Sequence, residues 1–80
     1  MSLNLDVEEL IQLIAEALEI SSDQVNIETV NTDIEEWDSL GQIAILARLD
    51  EKFADVTEKV PDLASATSVR DLHRLLTEKS

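Results

Sequence analysis

Few side chains in this sequence are placed to do chemistry, and Ser39 is the one whose setting singles it out. It stands in Glu36-Trp37-Asp38-Ser39-Leu40-Gly41, where an apolar, helix-forming run begins. A helix start offers free backbone N–H groups and the positive end of the helix dipole, which together favour a phosphate. A serine there serves either as such a seat or as a plain N-cap. It is a poor hydrolase nucleophile. No Gly-x-Ser-x-Gly surrounds it, and its base would have to be His73, the one histidine, on another helix. No catalytic residue is assigned, and the chain reads as a non-enzyme. Asn31, Asp33 and Glu35 alternate like the opening of an EF-hand loop. However, Glu36 stands where that loop needs Gly, and Gln42 where it needs Glu. No specific metal site is expected, only diffuse divalent binding at an acidic surface.

The elements that position Ser39 follow from the apolar spacing. With 80 residues, the chain is expected to form a single domain over residues 1–80. Asp6 is placed to cap a first helix, with Glu9 as its capping-box partner. Val7, Leu10, Ile11, Ile14 and Leu18 recur at helical spacing over about 13 residues. A long connection follows over residues 20–37, with apolar anchors at Ile20, Val25, Ile27, Val30 and Ile34. Loops longer than about 12–15 residues in small domains are usually functional or disordered. The spaced anchors predict that this one is pinned to the core.

A second helix is predicted from Asp38 or Ser39 to Phe53. A short third one is predicted from Pro61 through Asp62, Leu63, Ala64 and Ser65. Ser68 is predicted to cap the last helix, whose stripe is Val69, Leu72, Leu75 and Leu76. No alternating run supports a strand. The fold class expected is all-α: a small four-helix bundle, three longer helices and one short, with a long loop between the first and second.

Charge narrows the partners. Residues 1–47 hold eleven acids and no Lys or Arg, whereas residues 48–80 hold seven acids and all six bases, for a net charge of −12. Nucleic acid and anionic membranes would be repelled. A basic protein surface is the natural partner, steered in by the long-range field. The absence of cysteine excludes a disulfide framework. No apolar run nears the roughly 20 residues of a membrane span. The early acids Glu8, Glu9 and Glu16 do not suit a secretory signal. A cytoplasmic monomer without membrane insertion is expected.

The second helix is apolar on two sides. At about 100° per residue, Ile45, Leu46, Leu49 and Phe53 fall on one side and Leu40, Ile43, Ala44 and Ala47 nearly opposite. Either the helix is buried on both sides, or the second stripe is an exposed docking strip. Glu35, Glu36, Asp38, Asp50 and Glu51 bracket that strip, and Arg48 and Lys52 interrupt the acidity on one flank.

Along most of its length the chain resembles an acyl carrier protein. Asp38-Ser39-Leu40 matches that family's Asp-Ser-Leu attachment motif. The stretch from Gly41 to Phe53 resembles its second helix, and Thr67-Ser68-Val69-Arg70-Asp71-Leu72 the start of its last. The resemblance implies that Ser39, flanked by Asp38 and Leu40, carries 4′-phosphopantetheine transferred from coenzyme A by a phosphopantetheinyl transferase. The arm's thiol would hold acyl groups as thioesters, in a fatty-acid, polyketide or other specialised pathway. The implied partners are acyl-loading and acyl-using enzymes with basic docking surfaces. These would meet Glu35, Glu36, Leu40, Ile43, Ala44, Ala47, Asp50 and Glu51. The core stripe would shape an apolar interior for an acyl chain.

Some residues depart from the family pattern. Gly41, Gln42 and Ala44 are neutral where fatty-acid carriers usually place acids, and Arg48 is basic. Trp37 beside the motif suits free-standing carriers of specialised pathways, or else plugs the loop into the core. Residues 54–66 match poorly. The rival reading is an acidic helical adapter that binds proteins without a prosthetic group, with Ser39 only a cap.

Overall fold

A computed structural model describes residues 5–79 of the chain. It contains α1 (Val7–Leu18), α2 (Ser39–Lys52), α3 (Val56–Lys59) and α4 (Val69–Lys79), with short 3₁₀ turns at Ser22–Gln24, Asn31–Asp33 and Pro61–Ser65. This is the small all-α bundle expected, with three longer helices and one short. One isolated antiparallel bridge, Val30 to Ser68, is the β pairing present among the described residues.

α1 begins after Asp6, but not through the predicted capping box. The Asp6 side chain makes no cap hydrogen bond. Its carbonyl instead accepts the N–H groups of Glu9 at 3.1 Å and Leu10 at 3.2 Å. The helix buries Leu10, Leu13, Ile14, Ala15 and Leu18. Val7 and Ile11, placed in the stripe by spacing, are only half-buried. α1 ends at Glu19, which takes a left-handed φ of 58°. The Ile20 N–H then closes back on the Ala15 carbonyl at 3.0 Å, a tie that satisfies one of the helix's last carbonyls.

The long connection is pinned, as its apolar spacing predicted, with one change. Val25 and Ile34 are buried and Ile20 and Ile27 half-buried, but Val30 is 36% exposed. At that point the anchor is backbone. The Asn31 N–H donates to the Thr67 carbonyl at 2.8 Å, and the Val69 N–H to the Thr29 carbonyl at 3.0 Å. Thr29 itself is buried, and its Oγ1 accepts the Asn26 N–H at 2.9 Å. The loop is thereby stitched to the start of α4.

The segment that Pro61 suggested is helical, but it is 3₁₀ and not the short α-helix. Residues Pro61–Ser65 form a 3₁₀ turn, and the α-helical turn lies earlier, at Val56–Lys59. Asp55 reverses the chain with a left-handed φ of 58°. The Asp50 carboxylate, reaching from α2, accepts the Thr57 N–H at 2.9 Å and its hydroxyl at 2.8 Å. That side chain satisfies a first-turn donor that would otherwise be orphaned. α4 follows the sequence closely. Ser68 Oγ accepts the Asp71 N–H at 3.1 Å, and Val69, Leu72, Leu75 and Leu76 are all buried.

α1 packs mainly on α2, while α2 also meets α3 and the Pro61–Ser65 turn, and α4 meets α1 and that turn. The buried side chains form one cluster in which Leu10, Ile14, Ile45, Leu49, Leu63, Leu72 and Leu76 are closed to solvent. No helix among the described residues is long and apolar enough to cross a membrane.

Candidate functional site

Asp38 is the residue that starts α2. Its Oδ1 accepts the Gly41 N–H at 2.9 Å, and its carbonyl accepts the Gln42 N–H at 2.8 Å. Ser39 is therefore the first residue inside the helix and not its cap. Its side chain is exposed, and the hydroxyl makes no hydrogen bond with another described residue. A serine held only as a cap would spend that hydroxyl on a backbone N–H. Here the cap role is filled one residue earlier, and the serine oxygen is left available.

Two side chains that flank Ser39 in the sequence are bonded to each other. Trp37 is 2% exposed, which makes it the core plug of the long loop. Its indole N–H donates to Gln42 Oε1 at 2.6 Å. The Gln42 amide nitrogen donates in turn to the Ala66 carbonyl at 2.8 Å and lies 3.3 Å from that of Leu63. An indole N–H buried without a partner would cost about 1–3 kcal/mol, so this bond holds the loop against the helix. Gly41 supplies the third constraint. A Cβ there would collide with the Glu36 carbonyl and stand 2.8 Å from the Leu18 δ-methyl. The glycine lets the Glu36-Trp37 backbone lie directly on α2. Its neutrality, odd when judged by charge, follows from that close approach.

The two apolar sides of α2 have different environments. Gly41, Ile45 and Leu49 are buried, with Leu46 and Phe53 half-buried beside them. On the other side Leu40 is 76% exposed and Ile43 62% exposed. Ala47 is exposed and Ala44 half-buried. The helix is thus central to the bundle but not covered on both faces. Ser39, Leu40, Ile43 and Ala47 share the outward side.

The acids around this strip are not equivalent. Glu35, Glu36 and Asp38 are exposed just before α2. At the far end Asp50 is half-buried and its carboxylate is occupied by Thr57. Glu51 is exposed and lines a surface groove of about 410 Å³ between α1 and α2, together with Glu9, Glu16, Arg48 and Lys52. Arg48 there sits 4.0 Å from Glu16, across the groove. Asp33 serves the loop: its Oδ2 accepts the Val30 N–H at 3.1 Å. Among the described residues no group of three or more His, Cys, Asp or Glu converges as a metal site. His73 is half-buried on α4, its Nε2 2.8 Å from the Leu5 carbonyl.

A second cleft, of about 420 Å³, opens beside Ser39 and is walled by Asn31, Trp37, Asp38, Ser39, Gln42 and Thr67. Sequence reasoning assigned neither Asn31 nor Thr67 to the site. Only the bridge between the long loop and the α4 start brings them to Ser39, and spacing along the chain carries no signal of it.

Comparison with protein-family models, with curated proteins and with solved structures finds no match to this chain.

Proposed function

We propose that the chain is an acyl carrier protein, with Ser39 as the attachment point for 4′-phosphopantetheine. The observation that carries this reading is the exposed, unbonded Ser39 hydroxyl at the first position of α2. The helix there is already capped by Asp38 and continues into the exposed strip of Leu40 and Ile43. The residues fit the group. The N–H groups of Ser39 and Leu40 have no partner among the described residues, and they point the positive end of the helix at an attached phosphate. The Asp38 carboxylate, a neighbour of like sign, is engaged by Gly41.

The chain's own part in loading is to present a nucleophile. Ser39 Oγ forms the bond to phosphorus, its proton leaves to a base of the transferase, and the nucleotide half of coenzyme A departs. The Trp37 to Gln42 bond ties the end of the long loop to the first turn of α2, and the Ser39 hydroxyl stays open. The bound group supplies a terminal thiol that holds an acyl unit as a thioester. Leu40, Ile43 and Ala47 then offer the apolar contact for enzymes that load or use the acyl group. Burying a Leu or Ile side chain in a partner yields about 1.5–3 kcal/mol, against about 0–1 kcal/mol for a surface ion pair. The apolar strip therefore holds the partner, and Glu35, Glu36 and Glu51 steer its basic surface inward.

Incubation with coenzyme A, magnesium and a broad-range transferase tests the reading by intact mass. One phosphopantetheinyl group is expected. Failure with several transferases would favour a helical adapter that uses the same strip without a prosthetic group.

A further inference from the structure

Ser39 heads a row of side chains along α2. Gln42, Leu46 and Asp50 follow it at steps of three and four residues, which places them on one flank of the helix. That flank faces the chain carrying α3 and the Pro61–Ser65 turn, so a seam between the two starts beside Ser39. The seam is tied at both ends by polar side chains. Near Ser39 the Gln42 amide nitrogen donates to the Ala66 carbonyl at 2.8 Å, while its oxygen accepts the Trp37 indole N–H. Farther along, the Asp50 carboxylate accepts the Thr57 N–H at 2.9 Å and its hydroxyl at 2.8 Å. Between these ties Leu46 packs against the core, and Ile45, Val56, Val60 and Leu63 belong to the buried cluster beneath. A carboxylate at position 42 would accept from Trp37 but could not donate to Ala66. The neutral residue there is what the seam requires.

We infer that the Gln42 and Asp50 ties close this seam to whatever Ser39 carries, so that the cargo stays outside the core and is a short acyl group, of about four carbons or fewer, or a polar one. The inference rests on the carrier reading, and it runs against the sheltered interior that the family resemblance implies. Burying one methylene favours insertion about fourfold, so about three of them gain less than about 100-fold. Against this, opening the neutral Gln42 bond costs about 2- to 10-fold, and the charge-assisted Asp50 bonds cost roughly 10-fold or more. The two ties together offset what a short chain gains, and the seam stays closed. A longer chain outweighs the ties but meets close-packed side chains, where added volume forces shifts of rotamer and backbone. A polar acyl group loses its hydration in an apolar interior and gains no bond there. Gln42 and Asp50 thus set cargo class without touching the cargo.

The test loads the chain in parallel from acetyl-, butanoyl- and octanoyl-coenzyme A, with intact mass confirming one acyl-pantetheinyl group on every sample compared. Methyl spectra of isotope-labelled Ile, Leu and Val then report on the core. In the wild-type chain the Ile45, Leu49 and Leu63 methyls are expected at the same positions for all the acyl groups, with one common melting temperature. Gln42→Met keeps the side-chain length and removes both of its bonds; Thr57→Val removes the hydroxyl that Asp50 holds. Together they should raise the open fraction about 10-fold or more, and the octanoyl sample alone should then shift those methyls. Gln42→Met by itself gives the same comparison should the double variant not fold. Octanoyl-dependent shifts of the core methyls in the wild type overturn the inference and leave the carrier reading standing. Core methyls unmoved by octanoyl in every folded variant overturn the assignment to Gln42 and Asp50. A chain that no transferase loads fails at the mass step and overturns the carrier reading itself.

Discussion

The two faces of α2 are made of similar residues and serve different purposes. The inner face, Gly41, Ile45 and Leu49, is buried, whereas on the outer face Leu40, Ile43 and Ala47 are exposed. Apolarity alone does not decide which side folds. An apolar stripe is core only where the topology provides another surface to cover it. The lesson is that the outer stripe contributes little to folding and is available for binding, while the inner one supplies the stability of a chain this small.

The sharpest way to break that contrast is to truncate the inner face. Leu49 is closed to solvent, and Leu49→Ala should cost about 2–5 kcal/mol, comparable to the roughly 3–5 kcal/mol such a core supplies. Urea denaturation should show a largely unfolded variant. The half-buried Leu46 should cost distinctly less. Gly41→Ala comes next. Its Cβ would force the Glu36 carbonyl away, at a cost typical of overpacking, about 1–3 kcal/mol. Since the displaced segment carries Trp37, transfer to Ser39 should slow in the same variant.

Capping gives a middle-sized effect. Asp38→Ala should lose about 0.5–2 kcal/mol in a thermal melt, because Asp38 and not Ser39 accepts the Gly41 N–H. On the outer face Ile43→Asp should change stability by no more than about 0.5 kcal/mol, as expected of an exposed site, yet abolish partner binding in a titration. If it unfolds the domain as Leu49→Ala does, the two faces are not distinct.

Much of this was legible from spacing. α1, α2 and α4 each carry a stripe with a helical period, and Ser68 caps α4 as its type and place suggest. The misses share a cause: each depends on a particular hydrogen bond or on backbone conformation, which the spacing of apolar residues does not encode. Val56–Lys59 escaped because it is held by the Asp50 to Thr57 bonds and by the left-handed Asp55. For the same reason Asp50, read as a docking acid, is occupied inside the fold. The cap was placed ambiguously because Asp38 and Ser39 are both good capping residues, and only the Gly41 hydrogen bond separates them. Asn31 and Thr67 meet through a backbone bridge that no periodicity encodes.

The smallest effect is that of salt. Of the eleven acids in residues 1–47, Glu16 and Glu28 have a basic partner among the described ion pairs, at Arg48 and Arg70, and both pairs are well exposed. Exposed pairs contribute about 0–1 kcal/mol, so the remaining repulsion is little offset. Raising salt shortens the Debye length from about 30 Å at roughly 0.01 M to about 10 Å at roughly 0.1 M. The melting temperature should rise by a few degrees with sodium chloride, and more with magnesium at equal ionic strength, through weak clustering at Asp33, Glu35, Glu36 and Asp38. Partner binding should weaken over the same series. A melting temperature flat in both salts would mean that the acids already lie too far apart to matter.

The most direct test of the central claim pairs intact mass with a melt on Ser39→Ala. Ser39 is the proposed chemical site and makes no side-chain hydrogen bond with a described residue. The account therefore predicts that the wild-type chain gains one phosphopantetheinyl group, and that Ser39→Ala gains none while melting within a degree or two of the wild type. Modification that persists in Ser39→Ala, or a wild-type chain that several transferases leave unmodified, would contradict it.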